Sequence, residues 1–313
     1  MNVHPFSLRQ LQYAVAVADT GGFRLAAERC HVSQPALSAQ VALLESMLGV
    51  RLFERDRRGG LPTDAGADLV ARARRALTAA DELAVAALQL GDPLSGTLRL
   101  GVIPTIAPYL LPAGAPAVRA RCPRLSLVWS EEHTATLLVA LREGRLDGVL
   151  IARVSGLDDL EQEKILDDDF VLASPRGHPL SKARGPARIA DLDGQTALLL
   201  EDGHCLRDQA LSLCARGHAH EADFRATSLS TLVQMVLGGA GITLLPEMAV
   251  AVENRREELS VRRFKAPAPR RTVVLAWRRQ TARGPALREV AAALRAVSPG
   301  SPRRGRNGSG RRP

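Results

Sequence analysis

From residue 97 to residue 277 the chain alternates short strand patterns with short helical ones, and nothing else in it limits the fold as tightly. Residues 97–103 alternate apolar and polar side chains, as a half-buried strand does. Thr105 caps a helix that runs through the proline-punctuated Tyr109, Leu110 and Leu111; 125–129 reads as a strand, 134–143 as a helix and 147–152 as a buried strand. The series continues with strands at 170–174, 196–200, 241–245 and 272–277. Such alternation predicts α/β lobes with parallel-rich sheets. Those sheets take ligands in loops beyond strand C-termini, beside helix starts, and Thr105, Thr134 and Cys205 all occupy such positions.

The first ninety residues read differently. Leu8, Leu11, Val15 and Ala18 recur at helical spacing, and Gly21-Gly22 ends that run. Phe23, Ala26 and Ala27 begin a second short helix that stops near Cys30-His31. Ser33 is a good N-cap for a third helix, with Pro35 in its first turn, where a missing donor costs nothing. Leu37, Val41, Leu44 and Leu48 give this helix one apolar face, and Gly49 closes it. Two helices joined by a short turn, the second opening on Ser33, Gln34, Pro35 and Ser38, describe a helix-turn-helix whose first-turn side chains reach base edges. A wing follows: a strand at 52–55 and an arginine-rich turn at 56–60, placing Arg55, Arg57 and Arg58 along phosphates or in a minor groove. From Thr63 an alanine-rich helix carries Leu69, Ala73, Ala76, Ala80, Leu83, Ala87 and Leu90 in alternating steps of four and three. That heptad seam predicts pairing with a second copy of the same helix; the plainer alternative is packing on its own chain.

Composition agrees with a nucleic-acid partner. The 313 residues have room for two or three domains and a sizeable core, and the formal net charge of +9 favours a polyanion. Arginine supplies nearly all of that charge, the lysines being only Lys164, Lys182 and Lys265. Guanidinium suits phosphate and guanine, although arginine and alanine are heavily used throughout the chain. No run of about 18 apolar residues lacks a charge or proline, so no membrane span is expected. The start does not resemble a signal peptide, and the expectation is a cytoplasmic protein whose thiols stay reduced unless challenged. The tail at 299–313 is proline, glycine, serine, asparagine and arginine, a composition that predicts disorder.

Two of the four cysteines fall in 203–214. Gly203 and His204 read as a turn and 206–215 as a helix closed by Gly217. Cys205 then sits at the helix start, where backbone amides and the helix dipole favour a thiolate. Nine helical steps rise about 13.5 Å and turn through about 900°, so the two thiols face opposite ways. A disulfide needs Cα atoms within about 7 Å. Three readings follow: a redox switch that must unfold the helix, a core cysteine at 214 beside Leu211 with an incidental one at 205, or a metal site of Cys205, Cys214, His218 and His220. The last matches no common zinc spacing.

Residues 23–55, with Ala26-Ala27, Ser33-Gln34, Ser38, Leu44-Glu45, Leu48-Gly49 and Leu52-Phe53-Glu54-Arg55, resemble the winged helix-turn-helix of the LysR-type transcriptional regulators. Six further stretches (101–105, 108–112, 200–210 with Cys214, 224–229, 241–246 and 269–272) are similar to the peroxide-sensing branch of that family. The resemblance runs from residue 1 to about 297. It implies an α+β multidomain protein: a winged helix-turn-helix at 1–62, a linker helix at 63–92, and at 95–298 a two-lobed α/β sensor like a periplasmic binding protein. Lobe I would hold about 95–168 and 270–298, lobe II about 169–269, with crossings near 167–169 and 266–270. The implied function is a hydrogen-peroxide-responsive activator, not an enzyme, with Cys205 as the reacting thiolate and Cys214 as its disulfide partner. Thr105, Thr134, His204, Asp208 and Arg271 would form the peroxide pocket. The implied partners are double-stranded promoter DNA, hydrogen peroxide, a second copy through the linker helix on the way to a homotetramer, and RNA polymerase; neither a cofactor nor a metal is implied. The rivals are a regulator that binds a small organic effector between the lobes and a thiol peroxidase.

Overall fold

The structure is a computed structural model and describes residues 5–54, 60–89 and 92–298. The chain divides into two units near residue 92. Arg55, Arg57, Arg58 and Leu90, and the tail at 299–313, lie outside the described residues.

The first unit is built on four helices. Helix α1 (Leu8–Thr20) opens on a capping box, the Ser7 side chain accepting from the Gln10 amide and the Gln10 side chain from the Ser7 amide. Gly21, at φ 67°, ends it in the left-handed region. Helix α2 (Phe23–Arg29) follows, then α3 (Gln34–Leu48) with Ser33 as N-cap and Gly49 at φ 66°. The Glu45 carboxylate accepts from the amides of Leu52 (2.7 Å) and Phe53 (3.2 Å), which fixes the exit toward the wing. Among the described residues of the wing, Phe53 and Pro62 form an isolated antiparallel bridge; the expected strand at 52–55 ends outside them. Leu11, Val17, Ala26, Leu37, Val41, Leu44, Leu52 and Phe53 form the core.

Helix α4 (Asp64–Gln89) starts at Thr63, whose hydroxyl accepts from the Gly66 amide. Its heptad seam divides in two. Ala73 is buried and Leu69 half-buried against the core of the first three helices, while Ala76 and Ala87 are exposed and Leu83 is 74% exposed. Packing on its own chain therefore accounts for the first turns, while the described side chains of the last turns, Leu83, Ala84 and Ala87, are exposed.

In the second unit, β1 (Gly96–Val102), α5 (Ala107–Arg121), β2 (Leu125–Glu131), α6 (Thr134–Arg142) and β3 (Gly148–Ala152) follow the expected alternation. Next comes β4, a 16-residue strand at Leu160–Pro175. Strand β5 (Thr196–Leu200), α7 (Cys205–Arg216), β6 (His220–Ala226), α8 (Leu229–Leu237), β7 (Thr243–Pro246), α9 (Glu247–Glu253), β8 (Leu259–Arg263), β9 (Arg270–Arg278) and α10 (Gly284–Val297) complete it. The main sheet runs β2-β1-β3-β9-β4-β7, with β8 also on β4; β5 and β6 pair beside it.

The sheets are mixed rather than parallel-rich. β1 is parallel to β2 and β3, and β5 to β6, but every ladder that β4 or β9 makes is antiparallel. The reason is β4 itself. Its first ten residues pair with β9, from Leu160 opposite Arg278 to Asp169 opposite Arg270, and its last six pair with β7 and β8. The chain thus changes lobes within β4 at Asp169-Phe170 and returns at Arg270, close to the expected crossings. Each lobe has its own apolar core. One gathers Leu98, Leu100, Ile106, Leu137, Leu150, Trp277 and Leu294; the other gathers Phe170, Leu172, Leu198, Leu213, Val233 and Leu245. No helix of the described residues is long and apolar enough to cross a membrane.

Candidate functional site

The site is built around the start of α7. Strand β5 ends at Leu200, and Gly203, at φ 97°, turns the chain through a conformation that side chains rarely adopt. His204 is the N-cap residue and Cys205 the first helical one, so Cys205 stands where unpaired amides and the helix dipole favour negative charge. The expected helix at 206–215 is observed one residue longer at each end. All four cysteines are free thiols.

The two sulfurs belong to different cores. Cys205, 8% exposed, packs in the first lobe's core with Met248, Ile103 and Ile106. Cys214, 2% exposed, packs with Leu206, Ala210 and Leu213 in the second. This is the opposition that half-turn spacing along a helix demands. Burial pushes the Cys214 thiol up to about 11, with the Glu221 carboxylate adding to the effect. The same division scatters the four-ligand set of Cys205, Cys214, His218 and His220.

Arg271 and Thr105 are locked together. The Arg271 guanidinium donates through Nη1 to the Thr105 hydroxyl and through Nη2 to the Thr105 carbonyl, both at 2.9 Å. Its Nε donates to Asp168 Oδ2 at 2.9 Å, and Asp168 Oδ1 accepts from the Met248 amide at 3.0 Å. Asp168 and Arg271 are register partners on β4 and β9, and both side chains are all but inaccessible. Burial raises the Asp168 carboxyl against the pull of Arg271 and the Met248 amide. The cluster ties α5's leading loop to α9 across the crossing strands. A second tie lies nearby, where the Tyr109 hydroxyl of α5 donates to Glu253 of α9 at 2.7 Å. Burial first, and then that carboxylate, hold the Tyr109 phenol far above its ordinary value.

On the other side of Cys205 the polar groups are less satisfied. His204 is 5% exposed and meets His133 edge to face at 4.4 Å between ring centroids. Burial, then the neighbouring His133, lowers the His204 pKa, opposed by Glu201 and by a hydrogen bond to the Thr227 backbone. His204 Nε2, His133 Nδ1, Thr134 Oγ1, Trp129 Nε1 and Gln209 Oε1 are buried without a hydrogen-bond partner among the described residues. All five lie on two short stretches, 129–134 and 204–209, which meet where the His133 and His204 rings touch.

Asp208 is not gathered into this setting; it is exposed in the first turn of α7. Its neighbour Arg207 holds the position that charge alone did not reveal. Arg207 is 5% exposed and donates to Asp202 (2.8 Å), to Glu221 (2.8 and 3.3 Å) and to the Leu200 carbonyl (3.2 Å). Arg225 joins the same two carboxylates. This network pins the first turn of α7 to β6. Its sequence signal is faint, because Glu221 and Arg225, four apart, share one face in a helix as well as in a strand, and nothing local brings Arg207 and Asp202 to them.

In the first unit, Ser33, Gln34, Pro35 and Ser38 are all exposed at the start of α3, while Leu37, Val41 and Leu44 face inward. The four side chains expected at base edges therefore form one open surface.

Comparison with known proteins agrees with this layout. Residues 8–67 match the family described as bacterial regulatory helix-turn-helix protein, lysR family, and residues 91–299 match the LysR substrate binding domain. The "probable hydrogen peroxide-inducible genes activator" of Streptomyces viridosporus is 47% identical over 292 residues, covering 92% of this chain and 93% of that one. A full-length cysteine-to-aspartate variant of OxyR from Pseudomonas aeruginosa superposes with a TM-score of 0.78 at 35% identity, covering 94% and 96% of the two chains. A cysteine-to-serine variant of Corynebacterium glutamicum OxyR, solved with hydrogen peroxide bound, gives 0.63 at 34% identity over 94% and 93%. With a helix-turn-helix, a two-lobed sensor and relatives matched along nearly their whole length, the chain belongs to the LysR family of bacterial transcriptional regulators, in the group of hydrogen peroxide-inducible genes activators that includes OxyR.

Proposed function

We propose that this regulator senses hydrogen peroxide at Cys205 and is switched by a reversible Cys205–Cys214 disulfide. The single observation that carries the reading is the setting of Cys205: a buried thiol at a helix start, next to His204, whose buried Nε2 lacks a partner, as does Nδ1 of the His133 ring packed against it. Such atoms call for a small polar guest, since a buried unpaired group costs about 1–3 kcal/mol. Thr134 and His204 hold the peroxide, and Thr105 and Arg271 give the pocket one rigid side. Asp208 is exposed in the dithiol helix and takes no part until α7 moves.

The Cys205 thiolate attacks one peroxide oxygen. The O–O bond breaks, and the other oxygen leaves as hydroxide and takes a proton to become water. The Cys214 sulfur then attacks the sulfenic sulfur, the S–O bond breaks, and hydroxide leaves with the Cys214 proton as a second water. Two electrons pass from the two thiols to the peroxide; a dithiol reductant restores them. Remodelling of α7 changes packing in 95–298 and, through the helix at 63–92, the spacing of the DNA-binding regions at 1–62. The functional form is a homodimer paired through the outer turns of α4 and assembled into a homotetramer. It acts in the cytoplasm on double-stranded promoter DNA and contacts RNA polymerase as an activator.

The test is a footprint on the gene's own upstream region with dithiol and peroxide-treated protein, alongside mass mapping of the thiols. The expected result is a 205–214 link after stoichiometric peroxide and an altered footprint, both absent in Cys205→Ser. A footprint change that survives Cys205→Ser overturns the reading in favour of an organic effector. Peroxide consumption far beyond thiol equivalents, without promoter binding, overturns it in favour of a peroxidase.

A further inference from the structure

We infer that His133, Glu201 and His204 form a binding site for one divalent transition-metal ion of the zinc class. The ligand atoms of the three side chains lie within 4.8 Å of one another, the one such grouping of this kind among the described residues. Metal–nitrogen and metal–oxygen bonds of about 2.0–2.2 Å place tetrahedral ligand atoms about 3.3–3.6 Å apart. Side-chain rotations that draw the three together by no more than about 1.5 Å therefore complete the site.

A second observation points to a ligand. His204 is 5% exposed, and its Nε2 is buried with no hydrogen-bond partner. Its other nitrogen is the one engaged with the Thr227 backbone. A ring that donates from Nδ1 to a carbonyl presents Nε2 as a bare lone pair, the arrangement by which metal-binding histidines are held in one tautomer and orientation. His133 Nδ1 is likewise buried and unpartnered, and the two rings already touch edge to face. Two imidazoles and one carboxylate, with a coordination position left over, suit zinc, iron(II) and their neighbours rather than calcium or magnesium. The set recruits none of the thiols.

The ligands come from both lobes. His133 precedes α6 in the first, and Glu201 and His204 lie between β5 and α7 in the second. A bound ion fastens the residue before Cys205 to the opposite lobe. It also occupies the nitrogen that the peroxide reading assigns to the oxidant, so that metal and peroxide exclude each other. That consequence rests on the proposed function; the site itself does not, and its test uses no peroxide.

The experiment is a Zn2+ titration of the dithiol full-length chain against a chromogenic chelator. Wild type is compared with His133→Gln, Glu201→Gln, His204→Gln, the three combined, and the Cys205→Ser/Cys214→Ser pair. One ion per chain is expected, with affinity at least about tenfold lower in each single variant and wild-type affinity in the cysteine pair. Glu201→Gln, at a partly exposed position, keeps the test decisive where a buried histidine variant does not fold. Stoichiometry equal in wild type and the combined variant overturns the proposal. So does binding that vanishes with the cysteines and ignores the other three residues.

Discussion

If joining Cys205 to Cys214 requires the helix between them to open, the helix propensity of that segment must appear in the redox potential. Nine steps of α7 separate the Cα atoms by about 13.5 Å, roughly twice the reach of a disulfide. Asp208, Leu211 and Ser212 lie on the exposed side of the intervening turns. Glycine in place of alanine at such a position costs a helix about 1 kcal/mol. Where the oxidised segment has left the helix, that cost falls on the dithiol form alone. For a two-electron couple 1.4 kcal/mol corresponds to about 30 mV, so 1 kcal/mol moves the potential by about 20 mV. The dithiol is the destabilised side, so the potential of each glycine variant becomes more negative than that of the alanine variant at the same residue. The assay equilibrates Asp208→Ala against Asp208→Gly, and the equivalent pairs at 211 and 212, in defined thiol–disulfide buffers, with the oxidised fraction read by alkylation and mass. Because each comparison is within one position, the lost native side chain cancels. Three pairs agreeing within about 5 mV would mean that α7 survives oxidation intact, and the geometric reasoning would fail.

Cys214 should alkylate slowly in the folded dithiol protein. Burial raises its thiol from 9.0 to about 11, and at neutral pH two units mean about 100-fold less thiolate than in the unfolded chain. The raised value belongs to the folded state, so the associated stability is whole below pH 9 and is lost as pH climbs toward 11; equal maleimide rates in folded and urea-unfolded protein would contradict this. Arg207→Leu leaves Glu221 without its buried partner and should lower the urea-unfolding free energy by about 2 kcal/mol, whereas an unchanged midpoint would show that the network only decorates the surface. Gln34→Ala should weaken binding to a specific promoter fragment by about 1–3 kcal/mol with little change on random duplex of the same length, and equal losses on both would remove Gln34 from base recognition.

The helix-turn-helix was legible because each of its signals is local: a cap, a first-turn proline, a face at helical spacing and a terminal glycine. Helix α7 was legible for the same reason. Strand β4 was not, beyond 170–174. Its first half, Leu160 to Lys164, alternates weakly because its partner β9 runs through the middle of the sheet while its own side chains stay half exposed. Strand β6, reading His-Glu-Ala-Asp-Phe-Arg-Ala, alternates two alanines and one phenylalanine with charged residues, a pattern too poor in large apolar side chains to stand out; it is an edge strand tied down by Arg207 and Arg225 gripping Glu221. Gly217 was read as closing the helix and is its C-cap, with φ −96° there and the left-handed conformation at His218. Gly217 is needed for space instead: a Cβ there would lie 2.6 Å from the Ile189 carbonyl and 2.7 Å from the Leu192 side chain. Crossings near 167–169 and 266–270 came from the family resemblance, and β4 exchanges its partners at Asp169-Phe170, but the buried Asp168–Arg271 pair depends on register, which no single segment records.

The backbone ahead of α7 decides which sulfur travels. Drawing Cys214 toward Cys205 pulls Leu213 and Ala210 out of the second core with it, and one leucine side chain alone is worth about 1.5–3 kcal/mol of burial. Drawing Cys205 toward Cys214 removes one small thiol from the first core, lifts Leu206 from the second and breaks the Arg207 contacts, so the loss of burial is of the same order in both directions and does not separate them. The hinge for this second motion already exists in Gly203, whose backbone tolerates both signs of φ. Opening therefore starts at the first turn of α7 and spreads only as far as the new bond requires, with the last turn still anchored through Leu213 and Cys214. Amides 209–211 donate to the carbonyls of 205–207, so they should lose protection against hydrogen exchange on oxidation, while amides 214–216 keep theirs. The Ala–Gly potential difference should accordingly be largest at 208 and smallest at 212. Loss of protection confined to the last turn, or a gradient of potentials running the other way, would assign the motion to Cys214 and show that the second core yields first.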